Sequence, residues 1–254
     1  MTVDPRAASG FGSRADVYER VRPSYPPELV AHVARELGLT ATSEVLDLAA
    51  GTGKLSRRLV PLVGRVVAVD ASRAMLDELA GRLPGVDVRA GTAEAIPLPD
   101  GAVDAVFAGQ AFHWFRTAPA AREIARVLAP QGGLALLWNR ARWDEQQHPW
   151  LEQLHALVKP HRRAAGRFPD EDRWQPALEE TGLFEPLSCA EADHVHHLSP
   201  DDLVALVASW SWIANLPERE RDPLLAEVGA LVADQGELEL RYRTEAYWAR
   251  VRRL

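Results

Sequence analysis

Residues Val45-Leu46-Asp47-Leu48-Ala49-Ala50-Gly51-Thr52-Gly53-Lys54-Leu55 form an apolar run that breaks into a turn of small residues and then resumes with helix-forming ones. So short an apolar run, bounded by glycine, reads as a buried strand. A small-residue turn directly after it lets a ligand approach the backbone, and in open α/β sheets ligands collect at the carboxyl ends of strands. About 20 residues further on, Asp70 ends the next apolar run, Val66-Val67-Ala68-Val69. An acid there is placed to accept hydrogen bonds from the two hydroxyls of a ribose. Together the two features predict a ligand that carries a nucleoside.

The same pattern repeats to either side. Short β-branched runs at 44–48, 65–70, 86–89, 103–109 and 133–139 alternate with helical stretches at 54–62, 72–82 and 117–129, and a helix over 26–39 precedes them. Ser72 is a natural N-cap. Such alternation implies right-handed βαβ units and a parallel sheet covered on both faces. After Asn139 the chain turns polar and helical through 140–183, as in a lid. Two more strands, 186–198 and 238–251, flank helices at 200–213 and 217–234; the second strand is expected to hairpin with the first, antiparallel. The expected fold is α/β: a doubly wound, Rossmann-like, seven-stranded, mostly parallel sheet with an antiparallel edge strand and a helical lid. Residues 1–254 are read as one domain, with an N-terminal helical cap at 1–40, a cofactor-binding core at 41–139, the lid at 140–183 and a sheet-completing part at 184–254.

Composition narrows the partners. Twenty-nine Lys+Arg against 36 Asp+Glu leave a formal net charge of −7 over 254 residues, which argues against nucleic acid as the principal partner. Cys189 is the only cysteine, so no intramolecular disulfide, CxxC redox site or cysteine-based zinc site can form. No run approaches the roughly 20 apolar residues of a membrane span, and 1–12 lacks an apolar h-region. A cytoplasmic protein with no membrane partner is the expectation. Only Lys54 and Lys159 are lysine among the 29 basic residues, and eight tryptophans cluster from Trp114 onward. Such rings line pockets as readily as they pack cores.

What the turn lacks decides the cofactor class. A dinucleotide fingerprint wants a third small residue for close helix packing where Ser56 follows Lys54 and Leu55, and a P-loop needs Ser or Thr directly after its Lys. Asp47 would repel a pyrophosphate and attract a sulfonium and an α-amino group. A nucleoside without phosphates fits best. At this point the chain resembles a class I S-adenosylmethionine-dependent methyltransferase, of the group that includes trans-aconitate methyltransferases and similar small-molecule enzymes. Asp47 to Gly53 resembles the family's first motif, with Ala49 where the commonest form has glycine. Asp70, with Ala71 beside it, matches the ribose-binding acid, and Gly91-Thr92-Ala93-Glu94-Ala95-Ile96-Pro97-Leu98 resembles the segment that meets adenine. Gln110-Ala111-Phe112-His113-Trp114-Phe115 matches the segment where cofactor and substrate meet. Tyr18 and Arg22 lie in a stretch resembling the one that closes over the methionine end, where Arg22 can pair with its carboxylate.

The resemblance implies S-adenosyl-L-methionine as cofactor, S-adenosyl-L-homocysteine as product, and no metal. Cofactor residues are then Tyr18, Arg22, Asp47, Ala49, Gly51, Gly53, Asp70, Ala71, Thr92, Ala93, Glu94 and Gln110. Methyl transfer asks a protein mainly for alignment and exclusion of water. A carboxylate acceptor needs no base; for a hydroxyl, amine or carbon acceptor, His113 is the candidate catalytic base. Trp114, Trp138, Asn139 and Arg140 are the candidate substrate contacts, with Arg142 a further candidate for a carboxylate. Among His194, His196 and His197 two histidines spaced by two lie on one strand face, but with no nearby cysteine and no third partner fixed by spacing they are not read as a metal site. The expected function is methylation of a small molecule, at oxygen by family breadth. C- or N-methylation of a natural-product intermediate is the alternative, and a non-catalytic cofactor-binding relative the more remote one. The oligomeric state is not legible.

Overall fold

The computed structural model of the protein describes residues 15–145, 148–164 and 174–252. Parts of the expected cap and lid, 1–14, 146–147 and 165–173, lie outside the described residues, as do 253–254. Two helices, α1 (Ala15–Val21) and α2 (Pro27–Glu36), lead into β1 (Glu44–Leu48), α3 (Ser56–Leu59), β2 (Arg65–Asp70), α4 (Arg73–Arg82), β3 (Asp87–Ala90) and β4 (Val103–Gly109). Then come α5 (Thr117–Val127), β5 (Leu128–Ala141), α6 (Pro149–Ala164), α7 (Trp174–Glu179) and β6 (Ser188–Leu198). The chain ends with α8 (Pro200–Ala208), α9 (Ser211–Ala214), α10 (Glu218–Val232) and β7 (Leu238–Arg250).

The strands form one seven-stranded sheet in the order β3-β2-β1-β4-β5-β7-β6. Its first five strands are parallel; β7 is antiparallel to both β5 and β6, so the reversed strand lies one in from the edge. Strand order reverses between β1 and β4, and a crevice opens at such a switch point. Alternation along β1 sends Leu46 and Leu48 into one core, with Val106, Leu134 and Phe112, and Val45 into the other, with Phe107, Leu137 and Tyr25. Among the described residues no helix is long and apolar enough to cross a membrane.

Differences from the expected elements have local causes. The helix expected over 54–62 shrinks to α3, because Gly51 to Leu55 are spent on turns and Pro61 stops propagation. Ser72 does cap α4, accepting from the Met75 amide at 3.5 Å. The turn expected before 133 is absorbed into β5 as a register shift opposite Val103 and Ala105, with Gln131 at φ 76°. β5 also runs on to Ala141, because β7 pairs with it as far as Tyr242. The helix expected over 200–213 breaks after Ala208, where the Ser209 carbonyl and hydroxyl accept from the Arg22 guanidinium at 2.6 and 2.8 Å.

The lid also differs from a single insertion at 140–183. A third apolar core joins Val21 of α1, Trp150, Leu151 and Leu154 of α6, Leu203 and Leu206 of α8, and Val228 of α10. The cap is thus assembled from three separated stretches, because only together do their apolar faces find partners. α7 instead packs beneath the sheet, where Trp174 stacks on Trp138 with ring centroids 4.5 Å apart.

Candidate active site

A cavity of about 600 Å³ opens at the carboxyl ends of β1 and β4, between the sheet and the cap. Of the cofactor residues expected from sequence, Tyr18, Arg22, Asp47, Ala49, Gly51 and Gln110 line it; His113, Trp138, Asn139 and Arg140 line it too. The turn after β1 is shaped by left-handed residues. Gly51 stands at φ 56° with open space where a Cβ would be, and Gly53 at φ 86° lies 2.7 Å, Cβ to Cγ, from where Leu79 would block a side chain. Ala49 adopts φ 56° despite its Cβ, a conformation unfavourable for L residues by roughly 1–2 kcal/mol. Ala49→Gly is therefore expected to raise the unfolding free energy by about 0.5–1 kcal/mol, after the entropy of the freer unfolded chain is subtracted. A lower denaturation midpoint would contradict this.

Asp47 is the electrostatic centre of the turn. It is 1% exposed; its Oδ2 accepts from the Ser56 hydroxyl at 2.6 Å, while Oδ1, equally buried, has no partner among the described residues. Burial pushes its carboxyl up to about 7, against the Ser56 hydrogen bond and with help from the Asp70 charge. An unpaired buried oxygen on a cavity wall calls for a donor, preferably a cationic one. Ser56, where a dinucleotide fold would need a small packing residue, is occupied in holding that carboxylate.

Asp70 lies just outside the cavity. Its Oδ2 accepts from the Gly51 amide at 2.9 Å and its Oδ1 from the Ser72 amide at 2.7 Å. Ala71, Thr92, Ala93 and Glu94 also stand outside the cavity lining, at the β2 and β3 end of the crevice. Thr92 closes a turn onto Ala95, Ala93 is buried in the core, and Glu94 Oε1 accepts from the Arg116 amide at 3.0 Å. Gly53 lies behind the turn, against Leu79.

On the acceptor side the structure rearranges the expected roles. Phe112 to Trp114 form a single 3-10 turn, which spreads three successive side chains around its axis. Phe112 enters the core and His113 the cavity, so Trp114 does not wall the cavity; Trp138, Trp143, Trp210 and Trp212 do. His113 accepts at Nδ1 from the Trp138 indole N–H, 3.5 Å away. Burial, reinforced by the Arg140 and Arg162 charges, lowers its pKa to about 4. The ring is then neutral at pH 7, with its proton on Nε2. Asn139 serves as a joint: its amide donates to the Ser24 carbonyl at 3.2 Å and accepts from the Thr244 hydroxyl at 2.6 Å. Gln110, at φ 56°, donates to the Asn139 carbonyl at 2.9 Å. Arg140 reaches Glu245 at 3.4 Å, and Arg142 pairs with Glu145. His196 Nε2 meets the Val21 carbonyl at 2.8 Å and His194 stacks on Tyr242, so this pair fastens α1 and the sheet edge.

One cluster was invisible in sequence. The Glu19 carboxylate, 4% exposed, accepts from the Thr52 hydroxyl at 2.6 Å and pairs with Arg57 at 2.8 Å and Lys54 at 3.5 Å. The Lys54 ammonium also donates to the Glu19 carbonyl at 2.5 Å. This hub pins α1, which carries Tyr18 and Arg22, over the glycine turn. Arg22 in turn lies 5.2 Å from the Tyr18 ring centroid.

A comparison with known proteins agrees with this geometry. A methyltransferase-domain family model matches residues 46–136. An uncharacterized methyltransferase of Mycobacterium tuberculosis is 40% identical over 237 residues, covering 92% of this chain and 90% of that one. An uncharacterized methyltransferase-like protein of Schizosaccharomyces pombe is 35% identical over 237 residues, 91% of each chain. A solved Anaeromyxobacter dehalogenans protein assigned as a type II methyltransferase shares the fold with a TM-score of 0.66 at 24% identity, covering 90% of this chain and 97% of that one. On fold, glycine turn and relatives alike, the chain belongs to the class I S-adenosylmethionine-dependent methyltransferase family.

Proposed function

We propose that the protein binds S-adenosylmethionine in this cavity and methylates an oxygen of a small acid, most simply a carboxylate. The observation that carries the reading is the buried, unpartnered Asp47 Oδ1 on the cavity wall, beside a turn that leaves open space at Gly51. That pairing suits a ligand with an ammonium group and a bulky neutral body close to the backbone. Asp47 would take the ammonium, Asp70 the ribose hydroxyls, and Arg22 and Tyr18 would close over the amino-acid end. Ala71, Thr92, Ala93 and Glu94, at the far end of the crevice, are the adenine-side candidates. When bound, S-adenosylmethionine supplies a methyl carbon already activated by its sulfonium and leaves as S-adenosylhomocysteine.

The chain's own residues then have three tasks. Gln110 and Trp138 hold the acceptor side of the cavity, the cap excludes water, and His113 offers an N–H rather than a lone pair. With a pKa of about 4, His113 cannot efficiently strip a hydroxyl at neutral pH. A carboxylate acceptor needs no such help. The test is transfer of labelled methyl from S-adenosylmethionine to a panel of small carboxylic acids, their alcohols and amines. Label appearing in base-labile esters is expected; label only in ethers or amines, or no transfer to any acceptor, would contradict the reading.

Cofactor binding should carry a proton signature. Asp47 is protonated in the folded protein up to about pH 7, well above an unfolded carboxyl near 3.9. The protonated form therefore contributes stability that is fully present at low pH and is lost as pH rises through about 7. A ligand ammonium favours the ionised form instead. The dissociation constant for S-adenosylmethionine is expected to fall as pH rises from about 6 to 8, and Asp47→Asn to flatten the profile. An unchanged slope in that variant would contradict the assignment.

A further inference from the structure

The cap side of the cavity has a chemistry of its own. α6 turns His155, Val158, Lys159 and Arg162 toward the space, the spacing of one helical face. Trp143 lies parallel to His155, with ring centroids 6.2 Å apart and planes 10° apart. Trp210 meets Trp143 edge to face at 6.0 Å, and Trp212 stacks on Trp210 at 5.1 Å. The three half-buried indoles, with the exposed His155 against Trp143, make one continuous aromatic wall from the turn before α6 to the α8–α9 junction.

Charge on the lining is one-sided. Arg22, Lys54, Arg140, Lys159 and Arg162 face the cavity, against Asp47 as its only acid among the described residues. Arg22 is engaged with Ser209 and Lys54 with Glu19. Arg140 meets Glu245 only at 3.4 Å. Lys159 is exposed and has neither a hydrogen bond nor an acidic partner among the described residues. The whole chain is acidic, at −7, so this excess is local. A sulfonium cofactor adds positive charge beside the Lys159 ammonium, and an anionic acceptor offsets both. Arg140 lines the same cavity as His113, on the acceptor side.

We propose that this compartment is the acceptor site and that the acceptor is a planar aromatic acid, its ring against the Trp143, Trp210 and Trp212 wall and its carboxylate facing Lys159, with Arg140 beside it. The inference rests on the methyltransferase reading above and adds the substrate class. A flat ring gains from stacking on such a wall where a puckered ring of equal size does not. The carboxylate distinguishes it from a neutral ring, because a cation left facing an amide has no counter-charge.

The experiment is calorimetric titration of the full chain with cinnamate and 4-hydroxybenzoate, their primary amides, and cyclohexanecarboxylate, each with and without S-adenosylhomocysteine. The aryl acids are expected to bind about tenfold or more tightly than either control set. Lys159→Met and Trp210→Leu should each weaken them by about fivefold or more, with S-adenosylhomocysteine affinity held within about twofold. Lys159 is exposed, so its variant tests the idea even where Trp210→Leu fails to fold. Equal binding of acid and amide, or of aryl and saturated acid, overturns the inference, as does silence of every acid on protein that binds S-adenosylhomocysteine. Loss of S-adenosylhomocysteine binding alone would sink the cofactor reading, while the titrations without it still decide the compartment.

Discussion

Glu19→Ala is expected to destabilise the protein by about 3 kcal/mol or more, the effect of removing one partner from a buried ionic cluster. The Glu19 carboxylate is nearly inaccessible, and its loss leaves the Thr52 hydroxyl without its acceptor and the Lys54 ammonium, 14% exposed, without its counter-charge and with only the residue-19 carbonyl to donate to. Burial already pulls the Lys54 pKa down, and Glu19 is the group that opposes it. Arg57, 46% exposed, turns to water at little cost. The fall should appear as a lower urea midpoint with an unchanged slope. Glu19→Gln, which keeps an acceptor for Thr52 and the shape of the side chain, should lose less. S-adenosylmethionine affinity should fall with stability, because α1 and the glycine turn are joined here. A loss below about 1 kcal/mol would mean that α1 is held by its apolar contact, Val21, and that the hub is incidental.

The second large effect belongs to Asp70. Asp70→Ala is expected to weaken S-adenosylmethionine binding at least tenfold, about 1.4 kcal/mol. On the proposed reading it removes the acceptors for the ribose hydroxyls; it also frees the Gly51 and Ser72 amides, now held at 2.9 and 2.7 Å. Direct and indirect losses can be separated with Asp70→Asn, whose side-chain carbonyl still accepts one of these amides. If the asparagine variant recovers stability but not affinity, the ribose contact is the larger part. Unchanged affinity in a folded alanine variant would remove Asp70 from the cofactor site.

The parallel half of the sheet was legible because its strands are buried on both faces. β1, β2 and β4 match the apolar runs at 44–48, 65–70 and 103–109, each ending in Asp or Gly or running into the small-residue turn. Such runs answer only to local pattern. β5 was read short because its C-terminal end is fixed by β7, a partner about a hundred residues away in sequence, and its start by Val103 of β4. The cap was misdrawn for the same reason: Val21, Leu154 and Leu206 become one core only through tertiary assembly. Among the cavity-lining residues, Asp47, Gly51 and His113 were legible as lining from their place at or just past strand ends, whereas Glu19 reads as one more charged residue on an amphipathic helix. Trp114 was placed on the cavity because its motif is local, yet the phase of a three-residue turn decides which ring faces inward. The inward face of α6 did leave a trace, with His155, Lys159 and Arg162 spaced four and three residues apart. Nothing in the sequence said which way that face looked.

The most direct test of the central claim is calorimetric titration of the purified chain with S-adenosylmethionine, S-adenosylhomocysteine and NAD. The account predicts saturable one-to-one binding of the first two, abolished or weakened by Asp70→Ala, and none of NAD. Binding of NAD alone would contradict it, because the glycine turn and Asp47 would then be holding a pyrophosphate.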